Sequence, residues 1–204
     1  MSTLWLVRHG ESTWNTAGLA QGWADEAELT TRGLRQAAVA AAQFGYRRVQ
    51  AIYASDLRRA RQTAAAFAAV LGLPVQPDAR LRERSLGVLE GTAHSTIPAT
   101  VTGVADGLVI DPDVRPPRGE SVRDLYQRVA TFCDELAASL QPAAGAAPAG
   151  PGGDVLVIAH GGTVRVLDAY IHGVPVDQMA WRPVDNAATV CIPEHSLQLR
   201  GGIR

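Results

Sequence analysis

Two apolar runs in this chain end abruptly in a histidine followed by glycine. The run 4–7 leads into Arg8-His9-Gly10, and the run 155–159 leads into His160-Gly161-Gly162. Near-continuous apolar runs of this length are typical of strands buried on both faces of a parallel sheet. Cations and imidazoles have no structural use in such a strand, because their desolvation is costly unless partners compensate it. Since neighbouring parallel strands end at one edge of a sheet, we expect the two histidines to converge on one pocket.

Strand and helix patterns alternate along the chain. Apolar runs predict strands at 3–8, 49–54, 154–159 and 188–193, the last of them open to pairing with 196–200. Helices are predicted at 30–44, from a cap at Ser55 or Asp56 to residue 71, at 121–140 and at 163–171. The first helix is expected to bury Leu34, Ala37, Ala38 and Ala41. This alternation favours an α/β fold, a three-layer αβα sandwich with a mostly parallel central sheet.

Length and charge restrict the class of protein. The 204 residues, 47% of them hydrophobic, are enough for a single domain over 1–204, in which the Pro- and Gly-rich stretch 141–153 is a flexible loop. A formal net charge of −1 gives no field that attracts nucleic acid or an anionic membrane. No apolar stretch approaches the roughly 20 residues that cross a bilayer, and the N-terminal residues lack a secretion pattern. We therefore expect a cytoplasmic protein in which Cys133 and Cys191 are reduced core residues.

Lysine is absent, so all nineteen residues of the Lys and Arg class are arginine. The absence excludes the lysine of a Walker-type phosphate loop, Schiff-base chemistry with pyridoxal phosphate and every mechanism that needs a tunable amine. Arginine instead offers a planar fork of donors that matches the oxygens of a phosphate group.

Three further polar residues are candidates for a functional site. Asn15 lies in the polar loop after the first strand, and Glu83 lies in a segment too charged for a core. Arg59 lies in the first turn of the second helix, and at about 100° per residue it points away from Arg58 and Arg61. A cation at a helix start is locally unfavourable, but with the free N–H groups there it favours a bound anion. We expect Arg59 to bind an anion and its two neighbours to be solvent-exposed.

Six segments, taken in order, resemble motifs of the histidine phosphatase superfamily, also called the phosphoglycerate mutase-like family. They are RHGESTWN at 8–15, QGWADEAELTTRG at 21–33, SDLRRARQTA at 55–64, ERSLGVLEG at 83–91, PPRGES at 116–121 and AHGG at 159–162. Together they span nearly the whole chain. The resemblance implies an αβα sandwich that acts on a small-molecule phosphate ester through a phosphorylated histidine, with no metal or other cofactor.

The resemblance also implies roles for individual residues. His9 matches the nucleophile, and Glu83 matches the acid that protonates the leaving oxygen. The residues that match phosphoryl or substrate contacts are Arg8, Asn15, Gln21, Gly22, Arg59, His160 and Gly161. Elementary chemistry supports these roles, because a phosphoryl group in transfer spreads negative charge over three oxygens and neutral imidazole is a competent nucleophile near pH 7.

Two rival interpretations concern the class of the site. His9, His160 and Glu83 could be metal ligands, but no short ligand spacing such as HxH or HExxH is present, and the arginines would repel a dication. A non-catalytic phosphate-binding module would need the arginines and His160 but would have no use for Glu83. A phosphatase is therefore favoured over both.

A cofactor-dependent phosphoglycerate mutase is the third alternative. It begins with the same transfer to His9, but it must hold a doubly anionic acid for return transfer and needs extra cations over the substrate. The segment 92–117, which we expect to form a partly apolar lid, has one cation, Arg115, against three aspartates. We therefore expect hydrolysis. The sequence leaves the oligomeric state open, although an edge strand or the lid could pair two copies as a homodimer.

Overall fold

A computed structural model describes residues 3–140 and 152–193, and its strands form a mostly parallel sheet. The strands are β1 Thr3–Arg8, β2 Val49–Ala54, β3 Val75–Pro77, β4 Val104–Ala105, β5 Leu108–Val109, β6 Asp154–Ala159 and β7 Thr189–Pro193. Five of them form one sheet in the order β3-β2-β6-β1-β7, in which only β7 runs antiparallel to its neighbour, and β4 and β5 form a separate antiparallel pair. The mostly parallel sheet was predicted, whereas β3 and the β4–β5 pair were not.

Helices cover both faces of the five-stranded sheet. The α-helices of the described residues are α1 Thr13–Thr16, α2 Thr31–Ala42, α3 Arg58–Leu71, α4 Ala99–Thr102, α5 Val122–Leu140 and α6 Gly161–Ile171. Of these, α2 and α3 pack on one face and α5 and α6 on the other. Leu6 of β1 belongs to the core cluster that includes residues of α5 and α6, and the next residue, Val7, belongs to the cluster that includes residues of α2 and α3. Since successive strand residues point to opposite faces, the sheet is buried on both sides. This confirms the αβα sandwich. Within the described ranges no helix is long and apolar enough to cross a membrane.

The ends of β1 and β6 lie side by side. In the parallel register Arg8 is paired with Ala159, and the His9 backbone N–H donates to the Ala159 carbonyl at 2.9 Å. The chain therefore leaves the sheet at His9 and at His160 along the same carboxyl edge. This is where parallel α/β sheets place their ligand sites.

The prediction of the buried face of α2 was partly wrong. Ala37 and Ala41 are buried, but Ala38 is exposed and Leu34 is 49% exposed. The helix is rotated toward Gly33, which packs directly on the backbone at Gly10 and Glu11, where a Cβ atom would collide with carbonyl oxygens. The close approach of the Gly33 backbone to the Gly10 backbone therefore sets the rotation of α2. The apolar periodicity of the sequence does not encode this contact.

The predicted cap of α3 was also wrong. Leu57 is the N-cap residue and makes no side-chain cap bond. The Arg58 backbone N–H donates instead to the Asp25 carboxylate, which comes from a distant loop. Ser55 bonds to His160, and the carboxylate of Asp56 pairs with Arg82 at 2.6–2.7 Å. Ser55 and Asp56, which the sequence predicts as caps, therefore bond to side chains that are distant along the chain.

Other boundaries differ in smaller ways. Helix α6 begins at Gly161, two residues before its predicted start. Cys133 is buried as expected, but Cys191 is exposed, because it lies on β7 at the edge of the sheet. Cys191 is a free thiol. The predicted loop falls almost wholly on 141–151, and the predicted pairing partner of the last strand lies at 196–200; both stretches are outside the described residues.

Candidate active site

The site is built around two buried imidazoles. His9 and His160 follow the neighbouring strands β1 and β6, and the centroids of their rings are 5.1 Å apart. His9 is 3% exposed and His160 is fully buried. The predicted convergence of the two strand-end histidines is therefore present in the structure.

The environment of His9 selects a neutral ring with its Nε2 atom free. His9 Nδ1 lies 2.7 Å from the Gly10 carbonyl oxygen, which can only accept, so Nδ1 carries the hydrogen. Burial lowers the pKa of His9 well below its ordinary value, and the nearby charges of Arg59 and Arg8 lower it further. The lone pair is thus on Nε2, as a nitrogen nucleophile requires.

His160 has the opposite arrangement. Its Nε2 lies 2.8 Å from Ser55 Oγ, which also accepts a bond from the Leu57 backbone N–H. We assign the hydrogen of the neutral ring to Nδ1, because the Ser55 hydroxyl then donates to Nε2. Burial lowers the pKa of His160 well below its ordinary value, with Arg59 as the next cause. His160 therefore presents an N–H donor.

Two arginines of the site, the buried Arg59 and the half-buried Arg8, are fixed by backbone carbonyls. Arg59 is fully buried and donates through Nη1 to the Ala24 carbonyl at 2.7 Å and through Nη2 to the Gly22 carbonyl at 2.8 Å. Arg8 donates through Nη1 to the Val184 carbonyl. Burial lowers the pKa of Arg59 to about 10 and also lowers that of Arg8, so both remain cations near neutral pH. As predicted, Arg59 faces inward.

Three buried nitrogens of this cluster have no hydrogen-bond partner. They are Arg8 Nε, Arg59 Nε and His160 Nδ1, and they are the complete set of such buried side-chain nitrogen and oxygen atoms in 3–140 and 152–193. A buried donor without an acceptor costs about 1–3 kcal/mol. That all three belong to the predicted phosphoryl-binding residues indicates a site built to receive an anionic acceptor.

Glu83 lines the same cavity and lies in the segment that follows β3. Its carboxylate accepts from the backbone N–H groups of Gly162 at 2.9 Å and Arg84 at 2.8 Å. Its backbone carbonyl accepts from Trp23 Nε1 and Arg128 Nη2, both at 2.7 Å. The first two bonds hold the carboxylate at the start of α6, beside Gly162, and the other two hold the backbone of Glu83.

The cavity has a volume of about 330 Å³, which suits a small phosphate ester. Every predicted site residue lines it except His160, whose ring is buried against that of His9. The lining side chains and glycines from the predicted set are Arg8, His9, Asn15, Gln21, Gly22, Arg59, Glu83 and Gly161. Residues from five of the six motif segments are thus brought to one pocket, and the segment 116–121 contributes none to its lining.

Comparison with known proteins decides the family. The model of the histidine phosphatase superfamily (branch 1) matches residues 4–196. The chain belongs to this superfamily. A glucosyl-3-phosphoglycerate phosphatase of Mycobacterium tuberculosis is 38% identical over 171 residues, which are 84% of this chain and 75% of that protein. "Probable phosphoglycerate mutase GpmB" of Klebsiella pneumoniae is 36% identical over 176 residues, 86% of this chain and 77% of that one.

The solved structures agree with this assignment. A mycobacterial glucosyl-3-phosphoglycerate phosphatase in complex with inorganic phosphate matches with a TM-score of 0.79 at 33% identity. The match covers 97% of this chain and 92% of that one. Membership of the histidine phosphatase superfamily therefore applies to the fold as well as to the motifs.

The polar loops of this histidine phosphatase orient the remaining predicted contacts. Asn15 Oδ1 accepts from the Ser12 backbone N–H at 3.0 Å, which leaves its amide Nδ2 without a partner in the described ranges. Gln21 lies 3.0 Å from Ser12 Oγ through its Oε1. Asn15 can therefore offer an N–H donor to the cavity, while Gly22 contributes through the carbonyl that holds Arg59.

The cavity also contains residues that were not predicted. Arg84, Arg165 and Trp181 line it, together with Leu19, Leu86 and His94. Arg165 lies one helical turn after Gly161, so the spacing from the His160 motif could have indicated it. Arg84 directly follows Glu83. No sequence signal identifies Trp181, because its place depends on a distant backbone contact.

The geometry gives no cluster typical of a metal centre. No group of three or more His, Cys, Asp or Glu side chains in the described part of the chain is placed to hold a metal ion. Glu83 is bonded to two backbone N–H groups, and His9 and His160 adjoin two arginines. Cationic neighbours favour an anion over a dication at this place.

Proposed function

We propose that this histidine phosphatase is a phosphomonoesterase that hydrolyses small phosphate esters through a phosphohistidine at His9. The observation that carries the proposal is the set of three unpartnered buried donors around His9. Arg8 Nε, Arg59 Nε and His160 Nδ1 offer N–H groups to one acceptor, and a phosphoryl group has three charged oxygens to occupy them.

In the first step, His9 Nε2 attacks phosphorus. An N–P bond forms and the P–O bond to the leaving alcohol breaks. The Gly10 carbonyl holds the Nδ1 hydrogen, which orients the ring and stabilises the positive charge that develops on it. The low pKa of His9 keeps the nucleophile neutral, because the burial and the nearby arginines disfavour its protonated form.

The leaving oxygen requires a proton, since an alkoxide is a poor leaving group. Glu83 is proposed as the donor, because its carboxyl group lines the same cavity as His9 and is fixed by backbone N–H groups. In the second step the carboxylate accepts a proton from water, whose oxygen attacks phosphorus as the N–P bond breaks. The two steps return both residues to their starting states and release phosphate.

No metal ion or organic cofactor is required in this scheme. The arginines supply the positive charge, His9 supplies the nucleophile and Glu83 supplies the proton. Metal independence therefore follows as a proposal from the chemistry of the residues present, and treatment with EDTA tests it.

The substrate is proposed to be a small polar ester, such as a sugar phosphate or a derivative of phosphoglycerate. The resemblance to a glucosyl-3-phosphoglycerate phosphatase supports hydrolysis, and the similarity to a protein named as a mutase keeps interconversion as the second candidate. Hydrolysis is favoured because the segment 92–117 carries a single cation. A non-catalytic phosphate-binding module would have no use for the fixed carboxylate of Glu83.

The segment 92–117 is proposed as the lid that selects the leaving group. It contains α4 and the β4–β5 pair, and its His94 lines the cavity. The single domain over 1–204, the cytoplasmic location, the absence of nucleic-acid and membrane partners and a homodimer through an edge strand or this lid stay predictions.

The test is a phosphate-release assay in EDTA over a panel of esters, run beside an assay for interconversion of 2- and 3-phosphoglycerate. We expect release from several esters and interconversion at less than a tenth of that rate. Fast interconversion with slow release would establish the mutase. Loss of release in EDTA would establish a metal enzyme, and tight phosphate binding without any turnover would establish a binding module.

A further inference from the structure

The motif segment 116–121 leads into the start of α5 and lines no part of the cavity. Ser121 Oγ accepts from the Asp124 backbone N–H at 3.1 Å, and the Asp124 carboxylate accepts from the Ser121 backbone N–H at 2.8 Å. Such reciprocal bonds satisfy N–H groups that a helix start leaves without a partner. They set the place of Glu120, just before the helix, and of Arg128, about two turns into it.

Glu120 and Arg128 form a bidentate ion pair. Arg128 Nε and Nη2 donate to the two carboxylate oxygens of Glu120 at 2.9 Å and 2.8 Å. The side chains of Arg128 and Glu120 are 16% and 17% exposed, so the pair is largely removed from water and is screened less than a surface pair. Two parallel bonds of this kind fix the plane of a guanidinium as well as its distance. Arg128 therefore presents its remaining donors in one fixed direction.

The remaining donors of Arg128 bond to the backbone that carries Glu83. Nη1 donates to the carbonyls of Arg80 at 2.7 Å and Arg82 at 2.8 Å, and Nη2 donates to the carbonyl of Glu83 at 2.7 Å. With the two bonds to Glu120, all five N–H groups of the guanidinium have partners. A lysine has three donors and no planar fork, so it could not reproduce this set of bonds.

Glu120 holds the backbone on the other side of Glu83. Its Oε2 accepts from the Ser85 backbone N–H at 3.0 Å, and its own backbone N–H donates to the Ser85 carbonyl at 2.9 Å. Residues 82–86 belong to no helix or strand, so the ion pair supplies partners that regular secondary structure supplies elsewhere. The backbone at Glu83 is therefore held on both sides by one pair of side chains, those of Glu120 and Arg128.

Resting on the proposed function, in which Glu83 transfers a proton, we propose that Arg128 and Glu120 are positioning residues for the Glu83 carboxyl group. Neither of them lines the cavity, so they act through the backbone of 82–85 and touch no reacting atom. A proton donor must lie within hydrogen-bond reach of the leaving oxygen, and a displacement of about 1 Å can cost about a hundredfold in rate. Loss of the pair therefore impairs proton transfer, whereas His9 and Arg59 are held by other bonds.

The test compares kcat/KM for glycerol 3-phosphate, whose leaving alkoxide needs a proton, with kcat/KM for p-nitrophenyl phosphate, whose leaving nitrophenolate does not. The ratio of the first value to the second does not depend on the fraction of protein that is folded, so a loss of stability alone leaves it unchanged. Arg128→Gln should lower this ratio about tenfold or more. Glu120→Ala should lower it in the same direction, and Glu120→Gln, which keeps an acceptor for the Ser85 N–H, should lower it less.

Arg128→Lys keeps the charge but not the planar fork, so its ratio should lie between that of Arg128→Gln and that of the wild type. This variant carries the test if Arg128→Gln does not fold, which the melting temperature of each variant shows. Arg35→Gln is the matched control, because Arg35 is an exposed arginine of α2 outside the cavity. It should leave the ratio at the wild-type value.

A double variant separates positioning from a general structural effect. In Glu83→Gln, which has no acidic proton to donate, the addition of Arg128→Gln should lower the ratio by less than about twofold. An unchanged ratio in both Arg128 variants, or a further fall of about tenfold in the double variant, would overturn the inference. A wild-type ratio in Glu83→Gln itself would instead contradict the acid role of Glu83 in the proposed function, so the two failures are distinct.

Discussion

The Glu83 carboxylate accepts a hydrogen bond from the Gly162 backbone N–H, and Gly162 has no room for a side chain beside it. A Cβ atom there would collide with Glu83 Oε1. We expect Gly162→Ala to displace the carboxylate and to lower kcat about tenfold or more on alkyl phosphates. Gly45→Ala is the control, because a Cβ at Gly45 meets only ordinary contacts at 3.6 Å. Equal kcat values for the two variants would contradict the proposed role of this contact.

The role of Glu83 as a proton donor predicts a dependence on the leaving group. Glu83→Gln should lower kcat/KM about a hundredfold on glycerol phosphate, whose alkoxide needs a proton. The loss should be much smaller on p-nitrophenyl phosphate, because nitrophenolate leaves without one. Glu135→Gln, which alters an exposed carboxylate of α5, serves as the control. The same loss on both esters would show that Glu83 acts only in binding or folding.

The two buried imidazoles predict a stability that falls in acid. The folded-state pKa values of His9 and His160 lie well below their ordinary values, mainly because of burial. Between pH 6.5 and those lowered values the unfolded chain binds protons that the folded chain does not. The free energy of unfolding is therefore highest above pH 6.5 and falls as the pH is lowered below it. From pH 7.5 to 5.5 each histidine should cost about 1 kcal/mol of unfolding free energy.

Urea unfolding at a series of pH values measures this slope. His160→Gln should remove about half of the loss in that range, because one titrating group remains. A wild-type unfolding free energy that is constant from pH 7.5 to 5.5 would refute the low pKa values.

The bond between Ser55 and His160 predicts an effect at a residue that touches no substrate. Ser55→Ala leaves His160 Nε2 without its partner, so the ring loses its preferred tautomer. We expect kcat/KM to fall about tenfold and the unfolding free energy to fall by about 1–3 kcal/mol. Ser139→Ala, which removes a hydroxyl bonded to a carbonyl of α5, should leave kcat/KM unchanged. Wild-type kcat/KM in Ser55→Ala would show that another contact orients His160.

The parts of the site that the sequence predicts are those encoded by local pattern. The strand ends at His9 and His160 are marked by apolar runs that stop at a histidine and glycine, and the direction of Arg59 follows from helical phase. These features depend on periods of two or 3.6 residues within a single element. The sandwich follows from the alternation of the same elements.

The parts that the sequence does not predict depend on contacts between distant segments. Ser55 resembles a helix cap, but its hydroxyl bonds to His160, 105 residues away. Trp181 reaches the cavity through a backbone bond to Gly107, and Leu34 is exposed because Gly33 packs on Gly10. No periodicity within one element records such pairings, so Arg84 and Arg165 also appear in the site only once the chain is folded.

The central claim is that His9 carries the phosphoryl group, and rapid quench with mass spectrometry tests it most directly. Wild-type protein mixed with a good phosphate ester and quenched in alkali should yield an acid-labile phosphoryl group on the peptide that contains His9. His9→Asn should show no label and no turnover, whereas His172→Asn, at the exposed end of α6, should retain both. A phosphoryl group found on another residue, or turnover by His9→Asn at the wild-type rate, would contradict the account.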